Sequence, residues 1–329
     1  MKVLIFIMLF ILSITISCEL LTDSLKISHN RWYQQRKQQD DITYYSIFFS
    51  DENNGWIVGY DGTIKYSSDG GNTWKSQQSG VSSNLWDVCF ISNDIGWVCG
   101  QNNTILKTIN GGKTWHNISP EDSNEKTYVA IKFIDDAIGW TSNNNGEILK
   151  TTDGGFSWEI RKKYGSGGTR LAVLNANTIY TLRGYLYKTF DGGISWDSVK
   201  VSIPKYYAAC NMSFTDIVNG WIVTQNGTGG MMITEYPVIM TTDGGRTWFT
   251  SDSLKDGELG FRCVYFINKN TGWVAGSDNV YKTHDGGKHW ILDFTPTSGH
   301  LGAKDMFFIN EHCGWIINWD GAIFKYESW

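Results

Sequence analysis

Residues 67–74 read Ser67-Ser68-Asp69-Gly70-Gly71-Asn72-Thr73-Trp74, and this motif recurs along the 329-residue chain. Each copy joins an acid or amide to two glycines and ends on a tryptophan; the final residues are Trp74, Trp115, Trp158, Trp196, Trp248 and Trp290. A second marker, an aromatic that usually follows glycine, lies at Trp56, Trp97, Trp140, Tyr180, Trp221, Trp273 and Trp315. Self-similarity at such a period indicates a repeat architecture.

Each repeat has the pattern of four short strands. In the second repeat these strands are expected at residues 88–91, 96–99 and 104–108 and from Trp115 onward. Apolar runs bounded by Gly, Asn and Asp are typical of antiparallel strands joined by tight turns. The 36 glycines and 48 aromatic residues (16 each of Trp, Tyr and Phe), against 4 prolines, fit this pattern. The sequence therefore predicts an all-β fold, a β-propeller of four-stranded antiparallel blades.

The count of markers indicates how the ring closes. There are seven second-strand markers but six copies of the motif that ends on tryptophan, which we call the Asp-box. A seventh box after Trp315 would fall beyond the last residue, Trp329. Residues 32–36 precede Trp56 at the spacing of a fourth strand. We therefore predict seven blades, the last completed by an N-terminal strand that leaves no exposed sheet edge.

The acidic position of the Asp-box is interpreted as structural. Its carboxylate can accept hydrogen bonds from donors within the turn, while the paired glycines permit positive φ. The second copy supports this interpretation because an amide replaces the carboxylate there. The residues assigned this structural role are Asp69, Asn110, Asp153, Asp191, Asp243 and Asp285.

The N-terminal segment is interpreted as a targeting signal. Lys2 precedes an apolar run at residues 3–16, which is too short to span a bilayer well, and Cys18 then follows Ser17 as in a bacterial lipobox. We expect a lipoprotein signal peptide at residues 1–17, lipidation of Cys18, an anchored linker at 18–29 and one propeller at 30–329. This places the chain at the bacterial cell envelope, on the outer membrane, the periplasmic face or the cell surface. The alternative is a plain secretory peptide cut near the same place.

Charge and composition exclude several function classes. The net charge of −5 gives no global reason to expect nucleic acid or an anionic membrane surface as a partner. The five cysteines after Cys18 are odd in number and scattered, which favours small buried residues over a disulfide framework. The six histidines lack metal-ligand spacing, and no glycine-rich stretch has a phosphate-loop pattern. We predict no metal and no cofactor.

The repeat also resembles a known family. Tandem Asp-boxes, the bacterial neuraminidase repeat, occur in sialidases, some other glycoside hydrolases and sorting receptors. The pattern GW-x-V-G followed by K-T-x-D-G-G-x-T-W is similar to that of the photosystem II assembly and stability factors and their non-photosynthetic bacterial lipoprotein relatives, over residues 30–329. The resemblance implies the propeller fold and a protein-binding or assembly role, with an arginine-rich surface patch. The shared residues build blades, so they do not identify a partner.

A basic segment of the fourth repeat is the first candidate site. In propellers, ligands usually contact the face formed by the loops that lead into the inner strands and by the turns between strands two and three, opposite the Asp-boxes. The candidate residues near that face are Arg161, Lys162, Lys163, Arg170, Arg183 and Lys205. Such cations could hold an acidic protein or an anionic glycan. The alternative is a solvated loop.

Aromatic residues on the connecting loops are the second candidate. They are Trp86, Tyr128, Tyr206 and Tyr207, together with Tyr45 and Phe261. Aromatic platforms bind peptide side chains or sugar rings, but the same residues could instead cap the core between blades. An insertion at residues 225–237 is a third candidate.

An enzymatic function is the weaker hypothesis. Glycosidases need two carboxylates, and Asp87 and Asp305 are the obvious central acids. A sialidase-like triad of Arg170, Arg183 and Arg262 would lack an assignable Tyr/Glu nucleophile pair. We predict a monomeric, non-catalytic scaffold that binds a protein partner, possesses no nucleic-acid site and contacts the membrane through its lipid anchor alone. Carbohydrate binding or sialidase-like hydrolysis is the alternative.

Overall fold

The computed structural model describes residues 31–36, 42–120, 125–165, 167–227, 233–257, 259–297 and 300–328. The predicted signal peptide, Cys18 and the linker at 18–29 lie outside these residues. All regular structure in the described part is β, in seven four-stranded antiparallel sheets and one two-stranded sheet. The predicted fold class is confirmed. In these residues no helix has the length and apolar character needed to span a bilayer.

The strands follow the repeats. The first strand is β1 (Arg31–Arg36); blade 1 then contains β2 (Tyr44–Phe49), β3 (Gly55–Gly59), β4 (Ile64–Ser67) and β5 (Lys75–Gln77). Blade 2 contains β6 (Leu85–Phe90), β7 (Gly96–Gly100), β8 (Ile105–Thr108) and β9 (His116–Asn117). Blade 3 contains β10 (Tyr128–Phe133), β11 (Gly139–Asn143), β12 (Glu147–Thr151) and β13 (Glu159–Lys163). Blade 4 contains β14 (Leu171–Val173), β15 (Ile179–Arg183), β16 (Tyr185–Thr189) and β17 (Asp197–Lys200).

The remaining blades include one small addition. Blade 5 contains β18 (Tyr207–Phe214), β19 (Gly220–Asn226), β21 (Val238–Thr241) and β22 (Phe249–Thr250), and the pair β20 (Glu235–Tyr236) and β23 (Leu254–Lys255) forms a separate two-stranded sheet. Blade 6 contains β24 (Cys263–Phe266), β25 (Gly272–Ala275), β26 (Val280–Thr283) and β27 (Ile291–Phe294). Blade 7 contains β28 (Ala303–Asn310), β29 (Cys313–Asn318) and β30 (Ile323–Glu327).

The ring closes as the repeat count predicts. The inner strands β2, β6, β10, β14, β18, β24 and β28 contact one another in that order, and β28 contacts β2. Strand β1 pairs antiparallel with β30, with Trp32 opposite Tyr326, and so completes blade 7. The two ends of the chain therefore share one sheet.

Six of the seven junctions between blades repeat one aromatic contact; between blades 3 and 4, Val173 takes the place of the phenylalanine beside Trp140. The second-strand aromatic stacks on the phenylalanine at the end of the next inner strand, as for Trp97 on Phe133 with ring centroids 3.6 Å apart. The indole of Trp97 also donates to the carbonyl of Gly154 in the next Asp-box at 2.9 Å. A Cβ at Gly96 would lie 2.4 Å from the Phe90 ring, which explains the glycine before the tryptophan. In each Gly-Trp marker of this kind, the glycine leaves room for the phenylalanine of its own blade, and the tryptophan stacks on the phenylalanine of the next blade.

The Asp-box carboxylates bond within their own turns. Asp153 accepts from the Ser157 backbone N–H at 2.9 Å and from the Ser157 hydroxyl at 2.6 Å, and Thr151 donates to it at 2.8 Å. These bonds lower the pKa of Asp153 to about 2, against a raising effect of burial. In the second box, Asn110 accepts from the Thr114 N–H at 3.0 Å in the same geometry.

The ring has two distinct faces. One, which we call the Asp-box face, carries the Asp-box turns and the turns between the first two strands of each blade; the Gly154 N–H, for example, bonds the Ala137 carbonyl at 2.8 Å. The other, which we call the cavity face, carries the loops that lead into the inner strands and the turns between strands two and three. Of the five described cysteines, none forms a disulfide, and all but Cys210 are buried.

Candidate binding site

Five inner strands carry a β-bulge at the same height. The extra residues in these strands are Tyr45, Trp86, Val129, Cys210 and Lys304. A bulge changes the direction in which its side chain points. All five residues line one cavity of about 560 Å³. Since they come from blades 1, 2, 3, 5 and 7, the cavity lies on the propeller axis at the cavity face.

Blade 4 supplies two arginines to this cavity. Its inner strand β14 has no bulge in its pairing with β15, and Arg170 directly precedes it. Arg183 ends β15, and its guanidinium donates to the Gly167 carbonyl. The Thr169 hydroxyl donates to the Leu182 carbonyl at 2.8 Å, which joins the incoming loop to the turn. The structure therefore brings Arg170 and Arg183 together in one wall.

Aromatic rings form the opposite wall. Tyr45 and Trp86 stack with centroids 4.3 Å apart and planes at 21°. The Lys304 ammonium lies 3.5 Å from the centroid of the Trp319 ring and 5.0 Å from that of Tyr45, within cation–π range. The indole N–H of Trp86 is buried and has no hydrogen-bond partner within the described protein.

The residues that line the cavity carry an excess of positive charge. Burial, together with the charges of Arg170 and Arg262, lowers the pKa of Lys304 to about 8. No described lining residue carries a carboxylate. Asp305, the neighbour of Lys304 in sequence, is half-buried; desolvation raises the pKa of its carboxyl, against a lowering effect of the Arg170 charge. Three cations line the cavity, whereas the one carboxyl that acts on them lies outside the lining, and this excess of positive charge favours the binding of an anion.

The two central acids tie blades together. Asp87 accepts from the Ser46 hydroxyl at 3.0 Å and from the Ile131 N–H at 2.9 Å, and it pairs with Lys132 at 3.1 Å. Asp305 accepts from the Ile47 N–H at 3.0 Å. Both carboxylates thus bond the inner strands of neighbouring blades, and neither lines the cavity. Both acids therefore have hydrogen-bond partners on neighbouring strands.

Three predicted basic residues do not join the cavity. Arg161, Lys162 and Lys163 lie on β13, the outer strand of blade 3. Arg161 pairs with Glu159 at 2.7 Å and Lys163 with Glu147 at 3.0 Å, while the Lys162 ammonium lies 5.7 Å from the Tyr187 ring centroid. Because the other three strands of blade 3 lie between β13 and the axis, these residues are far from Arg170 and Arg183. The expected single basic sector is therefore divided.

The predicted aromatic residues also separate. Tyr128 and Phe261 are buried in the cores between blades and are not platforms, which corrects that interpretation. Tyr206 is exposed with φ of 80°, and the Lys205 ammonium lies 4.7 Å from its ring centroid. These two residues and Tyr207, whose hydroxyl donates to the Glu235 carbonyl at 3.0 Å, lie outside the cavity lining.

The third candidate site, the insertion at residues 225–237, is only partly described by the structure. Residues 228–232 of the insertion lie outside the described residues. Its C-terminal part, β20, pairs with β23, and the Tyr236 side chain is buried between blades 5 and 6. The described part of the insertion does not line the cavity.

One cavity cation, Lys304, escaped sequence reasoning although a signal existed. Lys304 precedes Phe308 by four residues, as Tyr45 precedes Phe49 and Trp86 precedes Phe90. Arg262 precedes Phe266 by the same interval, and its guanidinium lies 5.3 Å from the Trp319 ring centroid. Counting back four residues from the phenylalanine of each repeat would have selected both Lys304 and Arg262.

Comparison with known proteins now identifies the family. The model described as photosynthesis system II assembly factor YCF48 matches residues 24–327. The chain belongs to this family. A search of curated proteins found no match.

Several solved structures share the fold of this chain. A structure of YCF48 bound to D1 peptide has 21% identity and a TM-score of 0.74, covering 92% of this chain and 98% of that one. YCF48 from Cyanidioschyzon merolae has 20% identity and a TM-score of 0.70, covering 90% and 98%. The GH74 xyloglucanase from Xanthomonas campestris has 12% identity and a TM-score of 0.68, covering 89% and 53%. At these identities the likenesses to solved structures show the fold alone.

Proposed function

We propose that this YCF48-family chain is a non-catalytic scaffold that captures an acidic peptide segment of a protein partner in the axial cavity. The observation that carries the proposal is the convergence of Arg170, Arg183 and Lys304 in one lining without a described carboxylate. A structure of YCF48 with a bound D1 peptide supports a peptide as the ligand class. The stacked Tyr45 and Trp86 rings would hold an apolar side chain beside the acidic groups.

The proposed setting is the bacterial cell envelope. Cys18 follows a short apolar run and a small residue, as in a lipobox, so lipidation there would tether the propeller to a membrane. A tethered ring would present its cavity to partners in or near that membrane. Metabolic labelling with an alkyne-bearing fatty acid tests this setting: label should enter the wild type and not a Cys18→Ala variant.

Carbohydrate binding is the second candidate. The Tyr45–Trp86 stack could receive a sugar ring. Hydrolysis of that sugar would need two acids at the cavity, whereas Asp87 and Asp305 bond neighbouring strands instead. We therefore rank glycan binding below peptide binding and propose no hydrolytic reaction.

Photo-crosslinking in native membranes tests the peptide proposal. Tyr185, exposed beside the cavity turn at Gly184, is replaced by p-benzoylphenylalanine in the full chain. Capture of a protein should fall roughly tenfold, equivalent to about 1.4 kcal/mol, in an Arg170→Glu/Arg183→Glu variant because the cavity then repels acidic groups.

The matched control reverses two charges elsewhere. Lys162→Glu/Lys200→Glu changes the same net charge on outer strands β13 and β17, and it should leave capture unchanged. Equal capture by all three proteins would contradict the cavity as the binding site. Loss of capture in the control alone would assign binding to the outer strands, where Lys162 lies.

A further inference from the structure

Apolar side chains protrude from one part of the Asp-box face. We call the following six residues the apolar arc: Ile109, Phe156, Phe190, Ile194, Ile217 and Val218. They lie on turns of blades 2, 3, 4 and 5, and the most exposed are Phe156 at 69% and Ile194 at 79%. Exposed apolar side chains grouped on one surface mark an interaction site.

The turns of the arc are joined from blade to blade. The Lys107 ammonium of blade 2 bonds the Gly154 carbonyl of blade 3 at 3.2 Å and lies 5.2 Å from the centroid of the Phe156 ring. The Lys150 ammonium of blade 3 bonds the Ala176 carbonyl of blade 4 at 3.2 Å. The Tyr180 hydroxyl of blade 4 bonds the Ile217 carbonyl of blade 5 at 2.8 Å. The turns that carry the arc are therefore tied to one another from blade to blade.

The repeats provide an internal control for these positions. Where blade 3 has Phe156 and blade 4 has Ile194, the other Asp-boxes have a polar or charged residue: Asn72 in blade 1, Lys113 in blade 2, Arg246 in blade 5 and Lys288 in blade 6. The blade therefore does not require an apolar residue there. At this position the apolar character is a property of blades 3 and 4 and not of the repeat.

The chain enters the fold on this same face. Arg31, the first residue of β1, pairs with Glu327, which also pairs with Cys313 at the start of β29. Cys313 follows the turn between the first two strands of blade 7, so β1 begins at the Asp-box face. Blade 7 and blades 3 and 4 lie on opposite sides of the ring. A tether at β1 and an apolar contact at the arc would thus hold the face at two opposite points.

We propose that the Asp-box face docks on a phospholipid bilayer, with the apolar arc inserted into the interface and the cavity directed away from the membrane. This rests on the N-terminal anchor of the proposed function, and it replaces the expectation that membrane contact is through the anchor alone. Exposed groups of both signs lie beside the arc: Asp94 and Asp136 on turns of blades 2 and 3, and Lys113 and Arg246 on the Asp-box turns of blades 2 and 5. Insertion therefore depends on apolar burial rather than on attraction to anionic headgroups.

The test places a polarity-sensitive NBD label on the full chain in phosphatidylethanolamine/phosphatidylcholine vesicles. Thr152→Cys puts the label on the Asp-box turn that carries Phe156, and Ser198→Cys puts it on the outer strand β17. Doxyl-lipid should quench the label at 152 at least twofold more than at 198. Adding phosphatidylglycerol should not increase that difference. The wild-type chain, labelled in parallel, gives the background from native cysteines.

A pair of matched variants isolates the arc. Phe156→Asn/Ile194→Asn should remove quenching at position 152 while the anchor keeps the protein on the vesicles. The control Phe249→Asn/Ile291→Asn changes the same residue types on outer strands β22 and β27, at 56% and 64% exposure, and should retain quenching.

Three results would overturn the proposal. Equal, solvent-like emission at 152 and 198 would show that the face does not dock. Shielding of 152 that rises with protein density, without doxyl-lipid quenching, would assign the arc to a second copy of the chain. Failure of the wild type to attach to vesicles would contradict the anchor and docking together, whereas cavity capture would remain a separate result.

Discussion

Lys304 is a cation in an environment that disfavours its charge. Its ammonium is covered by the Trp319 ring at 3.5 Å and shares the cavity with Arg170, while Arg262 adds a second repulsive charge. Cys263 and Asp305 act in the opposite direction but do not restore its usual pKa. A bound anion would relieve this repulsion, so part of the binding free energy in the cavity depends on the protonation of Lys304.

Binding of an acidic peptide should therefore weaken as pH rises through about 8, the pKa of Lys304. Below that pH the ammonium is charged and attracts the peptide; above it the amine is neutral. For a rhodamine-labelled, C-terminally amidated peptide of alternating glutamate and leucine, affinity should fall roughly tenfold from pH 7 to pH 9. Fluorescence anisotropy measures this change.

Lys304→Arg is the control for that titration. Arginine keeps its charge throughout this range, so the affinity of the variant should not change with pH. A wild-type affinity that also stays constant from pH 7 to pH 9 would show that Lys304 does not contribute to the site. The same profile in both proteins would assign the titration to another group.

Strand β1 is the element that closes the molecule. Its Trp32 is buried against Phe294, Phe308 and Tyr326, and the indole donates to Asp293 at 2.6 Å. The equivalent tryptophan of an inner repeat, such as Trp158, lies in a blade whose four strands are consecutive in sequence. Loss of packing at Trp32 therefore acts on ring closure as well as on one blade.

Trp32→Ala should lower the free energy of unfolding by about 3–5 kcal/mol, the usual cost of truncating a buried tryptophan. It should also expose the N-terminal strand to protease before the rest of the chain unfolds. Urea unfolding and limited proteolysis measure the two effects. Trp158→Ala should destabilise the protein without early cleavage at β1; early cleavage in both variants would contradict a specific role of Trp32 in the closure.

The whole ring separates two surfaces of different chemistry. The cavity face gathers Arg170, Arg183 and Lys304, whereas the Asp-box face carries the apolar arc. Both surfaces are built on the same rigid set of inter-blade contacts, but they share no described residue. Changes at one surface should therefore not alter the other.

A quadruple variant tests this independence. This variant combines Arg170→Glu/Arg183→Glu with Phe156→Asn/Ile194→Asn. Its partner capture should fall by the same factor as in the first double variant, and its lipid quenching by the same factor as in the second. Photo-crosslinking and NBD quenching are read from the same preparations. A coupling larger than about 0.5 kcal/mol, roughly twofold, would show that docking orients or regulates the cavity.

Much of this architecture could be predicted from local spacing. Asp-boxes, Gly-Trp markers and phenylalanines recur because each blade makes the same turn and the same contact with its neighbour, so counting them predicts seven blades. The missing box after Trp315 and the spacing of Trp32 predict the closing strand. These features depend on interactions within a blade or between consecutive blades, which leave a period in the sequence.

The composition of the cavity could not be predicted in the same way. Ring closure brings Lys304 of blade 7 next to Tyr45 of blade 1, although 259 residues separate them (304 − 45). Strand phase matters equally, since Tyr128 is buried while the next residue, Val129, occupies a bulge and lines the cavity. A shift of one residue exchanges the two sides of a strand. Local patterns thus specify the blades, whereas bulges and closure select the side chains that meet on the axis.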